Sequence, residues 1–193
     1  MENNETTEPE KTTLRTDRTP RIYVASLADY NAGDLHGCWI DADQPATEIQ
    51  DEISRMLSQS VQPIAEDWAI HDYENFEPLK LSEFESIELV SQAACGIVEH
   101  GPLFAAVVNH FGGLSNLDEA RRYMQEGCRG AFDSLADYAD ELIGDCYADA
   151  LKQLPDFIRG HIDWEGIGRD LELGGDVFTI VSEGQLYVFD SHI

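Results

Sequence analysis

The sequence predicts an α+β fold of three small units, in which two units with short antiparallel sheets flank a helical middle. Short runs rich in β-branched and aromatic residues, bounded by turn residues, fall near both ends, whereas the centre carries apolar residues at helical spacing. Leu, Ile, Val and Phe supply 48 of the 193 residues, about a quarter, which exceeds the roughly 20% expected of a chain too polar to fold.

Residues 1–21 mix Thr, Glu, Arg and Pro with little apolar content, so a flexible tail is expected there. Residues 22–27 read as a strand, 28–34 as a turn and 35–41 as the returning strand. Pro45 then opens a helix whose Ala46, Ile49, Ile53, Met56 and Leu57 share one face, and residues 68–71 complete a small sheet beneath it. This first unit spans 22–80. In the middle unit, 81–126, Ser82 and Glu85 have the spacing of a capping box. Phe84, Ile87, Val90, Ala94, Ile97 and Val98 continue an apolar face to the Gly101-Pro102 break. A second helix covers 102–111 and stops at Gly112-Gly113; a third, capped by Asn116 with Glu119, runs to about Glu126. The last unit, 127–193, starts with a strand through Phe132 and a long helix from Asp133 or Ser134 to about Gln153. Residues 177–181 and 186–189 then flank a turn as a β-hairpin.

Charge narrows the function. There are 38 acidic and 12 basic residues, a net charge of −26 and a pI near 4.2. The tail holds four bases and five acids, so −25 belongs to residues 22–193. Direct binding to DNA, RNA or an anionic membrane is disfavoured, because affinity for polyanions comes from Lys and Arg displacing counterions. No apolar run reaches the 18 to 20 residues or so of a membrane span, and no basic-then-apolar leader opens the chain. A cytoplasmic protein is expected, with Cys38, Cys95, Cys128 and Cys146 reduced and mostly buried.

Motifs for chemistry are weak. Asp41, Asp43, Thr47, Ile49 and Glu52 match positions of a calcium loop, but Ala46 replaces the required Gly and Pro45 occupies a ligand position. Zinc spacings, a Walker A loop and a G-x-S-x-G elbow are missing, and Gly166-Ile167-Gly168 lacks the third glycine of a dinucleotide loop. His71 and Asp72, as strand neighbours, point to opposite faces and do not form a base with its orienting acid. No cofactor is expected, and no catalytic residue is nominated.

The pattern of the acids says more than any one of them. Seven acids and no base lie between Tyr23 and Ser54, and six and no base between Leu81 and Ala120. In the long C-terminal helix, Asp133, Asp137, Asp140, Glu141, Asp145 and Asp149 form one stripe opposite Leu135, Tyr138, Ala139, Leu142, Cys146, Ala150 and Leu154. Like charges at i, i+4 destabilise a helix by a few tenths of a kcal/mol per pair. A soluble acidic surface would explain the stripe without any partner. Alternatively the carboxylates imitate phosphates: i to i+4 separates charges by roughly 6 Å, and 26 charges match roughly 44 Å of duplex. A compact globule of this length is only about 40 Å across, so a dimer of elongated protomers suits such a track better than a compact monomer.

Residues 22–41 (Ile-Tyr-Val-Ala-Ser-Leu-Ala-Asp-Tyr-Asn-Ala-Gly-Asp-Leu-His-Gly-Cys-Trp-Ile-Asp) and 66–73 (Glu-Asp-Trp-Ala-Ile-His-Asp-Tyr) closely resemble the ArdA-type antirestriction proteins. So do residues 138–142 and 162–171, and the similarity covers essentially all of 21–193. The resemblance implies an elongated, curved, three-domain protein that forms a homodimer and mimics bent B-form DNA. Such a protein occupies the DNA-binding groove of type I restriction-modification enzymes and protects incoming mobile DNA; its relatives are typically carried by conjugative plasmids and transposons. Residues 136–147 resemble the family's antirestriction motif, and Trp39, Trp68 and Trp164 are expected in the core or between domains.

The expected function is therefore non-enzymatic: a DNA mimic whose partner-binding carboxylates are Asp133, Asp137, Asp140, Glu141, Asp145, Asp149, Glu83, Glu88, Asp51 and Glu52. An acidic adaptor for another basic nucleic-acid-binding protein is the alternative reading. A carboxylate-dependent hydrolase is a more remote third.

Overall fold

The computed structural model describes residues 18–193, so the expected tail lies outside the described residues as far as position 17. Ordered structure already includes the last tail residues: Pro20 O accepts from Ala42 N at 2.9 Å and Thr19 O from Asn75 Nδ2 at 3.0 Å. The fold is α+β, with two three-stranded antiparallel sheets.

The first sheet, in order β2-β1-β3, comprises β1 (Arg21–Ser26), β2 (Gly37–Asp41) and β3 (Trp68–Glu74). The expected turn after β1 is instead a short helix, α1 (Leu27–Ala32). Ser26 Oγ caps it by accepting from Asp29 N, and Gly33 ends it at φ 92°. Ser, Asp, Asn and Gly suit helix ends as well as turns, so local composition does not separate the two. Helix α2 (Ala46–Ser58) buries Ile49, Ile53 and Met56 against Ile22, Val24 and Ile40. Ile49, in the calcium-loop alignment, is thus a core residue. In β3 the register to β1 shifts at His71, which stands as an extra residue against Tyr30, edge to face at 4.8 Å. Such a bulge suspends strict side-chain alternation; Asp72 Oδ1 meanwhile accepts from Tyr73 N at 2.8 Å.

In the middle, Ser82 N and Oγ reach Glu85 Oε2, but helix α3 (Ile87–His100) begins only after this pair. The capping box therefore closes a turn ahead of the helix and leaves Phe84 70% exposed; Val98 is likewise on the exposed side. Gly101, at φ 73°, joins α3 to α4 (Pro102–His110). A 3₁₀ turn at Leu114–Asn116 leads into α5 (Leu117–Arg122) and a π turn at Tyr123–Gly127. Asn116 does not cap α5 through its side chain, which donates to Phe111 O at 2.6 Å.

The last stretch holds β4 (Cys128–Phe132), α6 (Leu135–Cys146), α7 (Ala148–Gln153), α8 (Asp156–Arg159), α9 (Trp164–Gly174), β5 (Val177–Ser182) and β6 (Gln185–Asp190). Its sheet runs β4-β6-β5. The hairpin turns on Glu183 and Gly184, both at positive φ, as a two-residue connection of right-handed strands requires. The expected long helix is two helices, interrupted at Tyr147 (φ −127°, ψ 26°). Its supposed apolar face fails at the break, where Cys146 and Ala150 are exposed.

This second sheet is covered on both faces. Phe178, Ile180, Tyr187 and Phe189 join α3, α4 and α5 in one apolar cluster that continues to the first sheet. Val177 and Val188 face the other way, into a smaller cluster of Tyr138, Leu135 and Leu142 from α6 and Leu171 from α9. Trp68 and Trp164 are half-buried and Trp39 is 36% exposed, so the tryptophans sit at the rims of the packing. The four cysteines are free; Cys38 and Cys128 are half-buried, and Cys95 and Cys146 are exposed, contrary to the expected burial.

Among the described residues no helix is long and apolar enough to cross a membrane.

Candidate partner-binding surface

Helix α6 carries the densest of the expected carboxylates. Its start is well made: Ser134 Oγ accepts from Asp137 N at 3.2 Å and donates to Asp137 Oδ2 at 2.6 Å. A carboxylate in the first turn also meets the positive end of the helix dipole. Tyr138 and Ala139 anchor the opposite face, and burial holds the Tyr138 phenol above its ordinary pKa. Leu135 fixes α6 to α9 through a close approach at Gly168, where a Cβ would lie 2.5 Å from Leu135 O.

Asp137, Glu141 and Asp145 then follow at successive i+4 steps with Asp140 beside them, all four exposed. Three carboxylates spaced by roughly 6 Å along one ridge repel one another. Asp145 sits in the last turn, against the negative end of the dipole, and no basic residue occupies that turn. An unfavourable arrangement of this kind costs roughly 0.3–1 kcal/mol per charge. Folding does not account for it.

The other expected residues are distributed differently. Asp133 precedes the Ser134 cap and is exposed. Asp149 lies on α7, beyond the break, and is paired to Lys152 at 3.4 Å. Asp51 is exposed on α2, whereas Glu52 is half-buried and accepts from Gln44 Nε2 at 2.8 Å. Glu83 is exposed ahead of α3. Glu88 opens α3, where the Ser86 hydroxyl, donating at 2.8 Å, holds its carboxyl below the ordinary range. These positions belong to separate elements, and the stripe read from the sequence as one helix is two.

Most bases are spent locally. Arg21 pairs with Glu74, Arg121 with Asp118, Arg122 with Glu119 and Arg159 with Asp156. Arg129 bonds Asp190, which holds that carboxyl below its ordinary range. No ion pair neutralises Asp137, Asp140, Glu141 or Asp145 among the described residues. Sequence reasoning missed α9, which packs on α6 and adds exposed Glu165 and Asp170. Asp163 as N-cap, followed by Trp164, Ile167 and Leu171 at helical spacing, was the available signal; Asp163 Oδ1 accepts from Gly166 N at 2.9 Å.

Among the described residues, no three His, Cys, Asp or Glu side chains come together as metal ligands. The surface is a graded field of carboxylates, suited to meeting Lys and Arg over a wide area. A family model described as "Antirestriction protein (ArdA)" matches residues 22–185. No curated protein matches the chain.

Proposed function

The chain belongs to the ArdA antirestriction protein family, and on that premise we propose that it is a non-enzymatic DNA mimic that occupies the DNA-binding groove of type I restriction-modification enzymes. The observation that carries the reading is the unpaired row of Asp137, Asp140, Glu141 and Asp145 on α6. Its repulsion has no structural compensation, and a basic groove would supply it. Supporting residues are the exposed Asp133, Asp51, Glu83 and Glu88; Glu52 and Asp149 contribute less, because each already has a local partner.

The test is cleavage of unmodified DNA by a type I enzyme, titrated with the protein. Inhibition should be overcome by added DNA and should weaken as salt rises, because exposed carboxylates are screened at a Debye length of about 8 Å near 0.15 M. Thermal stability should move the opposite way, rising with salt as repulsion within the fold is screened. Combined neutralisation (Asp140→Asn, Glu141→Gln, Asp145→Asn) should weaken inhibition about tenfold and flatten its salt dependence. Full inhibition persisting at about 1 M salt would refute the electrostatic mimic.

The mimic acts as a homodimer in this reading, which extends the charge track. Residues 147–161 supply a face for the second copy: α7 and α8 have no buried residue, while Tyr147, Phe157 and Ile158 are exposed. Two acids and two bases leave this stretch neutral in a chain of −26, so two copies can approach there with little repulsion. Phe157→Asp should give a monomer by sedimentation without a change in helix content. An unaltered dimer would place the interface elsewhere.

A further inference from the structure

The outer face of the first sheet carries a second feature that the carboxylate row does not explain. Pairing sets Tyr23 opposite Trp39 and Asp72, and Arg21 opposite Asp41 and Glu74. Alternation sends Ile22, Val24 and Ile40 into the core under α2, so the first set faces away from it. At one end of this face Ala25 and Ala69 are fully buried, and α1 packs against both β1 and β3. Among the described residues the other half is lined by Trp39, which is 36% exposed.

An uncovered sheet face in so acidic a chain is expected to be polar. Here it holds an aromatic pair, Tyr23 and Trp39, with centroids 5.5 Å apart. The Arg21 guanidinium lies 4.6 Å above the Trp39 ring while Nε donates to Glu74 Oε2 at 2.8 Å. That clamp fixes long side chains before any partner arrives, which lowers the entropy lost on binding. Fixed, half-exposed Trp, Tyr and Arg are the residue types that dominate protein interfaces. Asp72 is exposed on the same face, so the local charge favours a basic partner.

We propose that this face is a second contact with the restriction enzyme, taking an arginine- or lysine-bearing segment of that protein whose aliphatic stem packs on the exposed edge of Trp39, beside Arg21, and whose charge meets the Asp72 carboxylate. The proposal rests on the antirestriction reading above. It differs in physics: the α6 row acts through long-range, screened charge, whereas burial of an aromatic ring resists salt.

The experiment measures inhibition of DNA cleavage across a salt series for the wild type, Trp39→Ala, Trp39→Phe, Asp72→Lys and the triple α6 variant, with circular dichroism on each. Trp39→Ala should weaken inhibition about tenfold at every salt concentration with the salt slope unchanged, the loss characteristic of an interface anchor. Trp39→Phe should recover most of it, and Asp72→Lys, a rim change that removes no packing, should also weaken inhibition. Wild-type inhibition by both Trp39→Ala and Asp72→Lys would overturn the proposal while leaving the mimic intact. A shift of Trp39→Ala to a lower oligomer by sedimentation would overturn it too, assigning the face to a second copy. If the wild type itself fails to inhibit, the functional reading falls and this contact with it.

Discussion

Phe189→Ala should lower stability by about 3–5 kcal/mol, the usual cost of emptying a fully buried aromatic site. Phe189 is 0% exposed and stacks on Phe178, with centroids 5.0 Å apart and planes 7° apart. Phe178 in turn meets His110, Phe111 and Tyr123, so it fastens the second sheet to α4 and the turn after α5. The loss therefore falls at a joint between stretches assigned by sequence to separate units. Because the same cluster continues through α3 and α2 to the first sheet, the transition should stay cooperative. Urea unfolding followed by far-ultraviolet circular dichroism and by tryptophan fluorescence checks this, since Trp39 and Trp68 report on the first sheet and Trp164 on α9. Coincident midpoints, both lowered, are expected. Separate midpoints, with the Trp164 signal lost first, would show that 127–193 unfolds alone.

Strands were legible where the chain alternates: β1, β2, β5 and β6 lie within a residue or two of their expected positions. The hairpin was readable because a two-residue turn fixes its register locally. The order β4-β6-β5 was not, since it depends on which faces α4 and α9 cover. Periodicity failed at Tyr147 because apolar spacing continues through Cys146 and Ala150 although both are exposed. Pattern records which side chains share a face, whereas burial depends on a neighbour. The capping box at Ser82 and Glu85 formed its hydrogen bonds without starting a helix, a case of local chemistry satisfied in a turn.

The carboxylate row was legible as composition and spacing, and its exposure followed from the buried face of Tyr138 and Ala139. Which acids keep their charge free was readable only in part. Asp149, unlike Asp145, has a base three residues on, and Lys152 pairs with it at a helical spacing that the sequence displays. Glu52 is withdrawn by Gln44 across a loop, a contact that sequence spacing does not encode.

Gly168→Ala should have the second large effect, because it strikes the support of α6 and leaves its charges untouched. A methyl at Gly168 would lie 2.5 Å from Leu135 O and 2.9 Å from Leu135 Cβ. A backbone oxygen cannot swing aside like a side-chain tip, so α9 and α6 must separate. Overpacking of this kind costs about 1–3 kcal/mol, sometimes more, against which the helix propensity gained by Gly→Ala, up to about 1 kcal/mol, is only a partial offset. Net destabilisation is expected. Leu135, Leu142 and Leu171 would lose contact in the smaller cluster, and the start of α6 would shift relative to the sheet. Net charge stays at −26, so a purely global electrostatic inhibitor would be unaffected while folded. If the geometry of the row matters, inhibition should fall severalfold at a temperature where circular dichroism shows the variant still folded. Gly144→Ala is the matched control: a Cβ there meets nothing within 4 Å, so both stability and inhibition should hold or rise slightly. Equal inhibition by both variants would mean that total charge, and not the placement of α6, sets the activity.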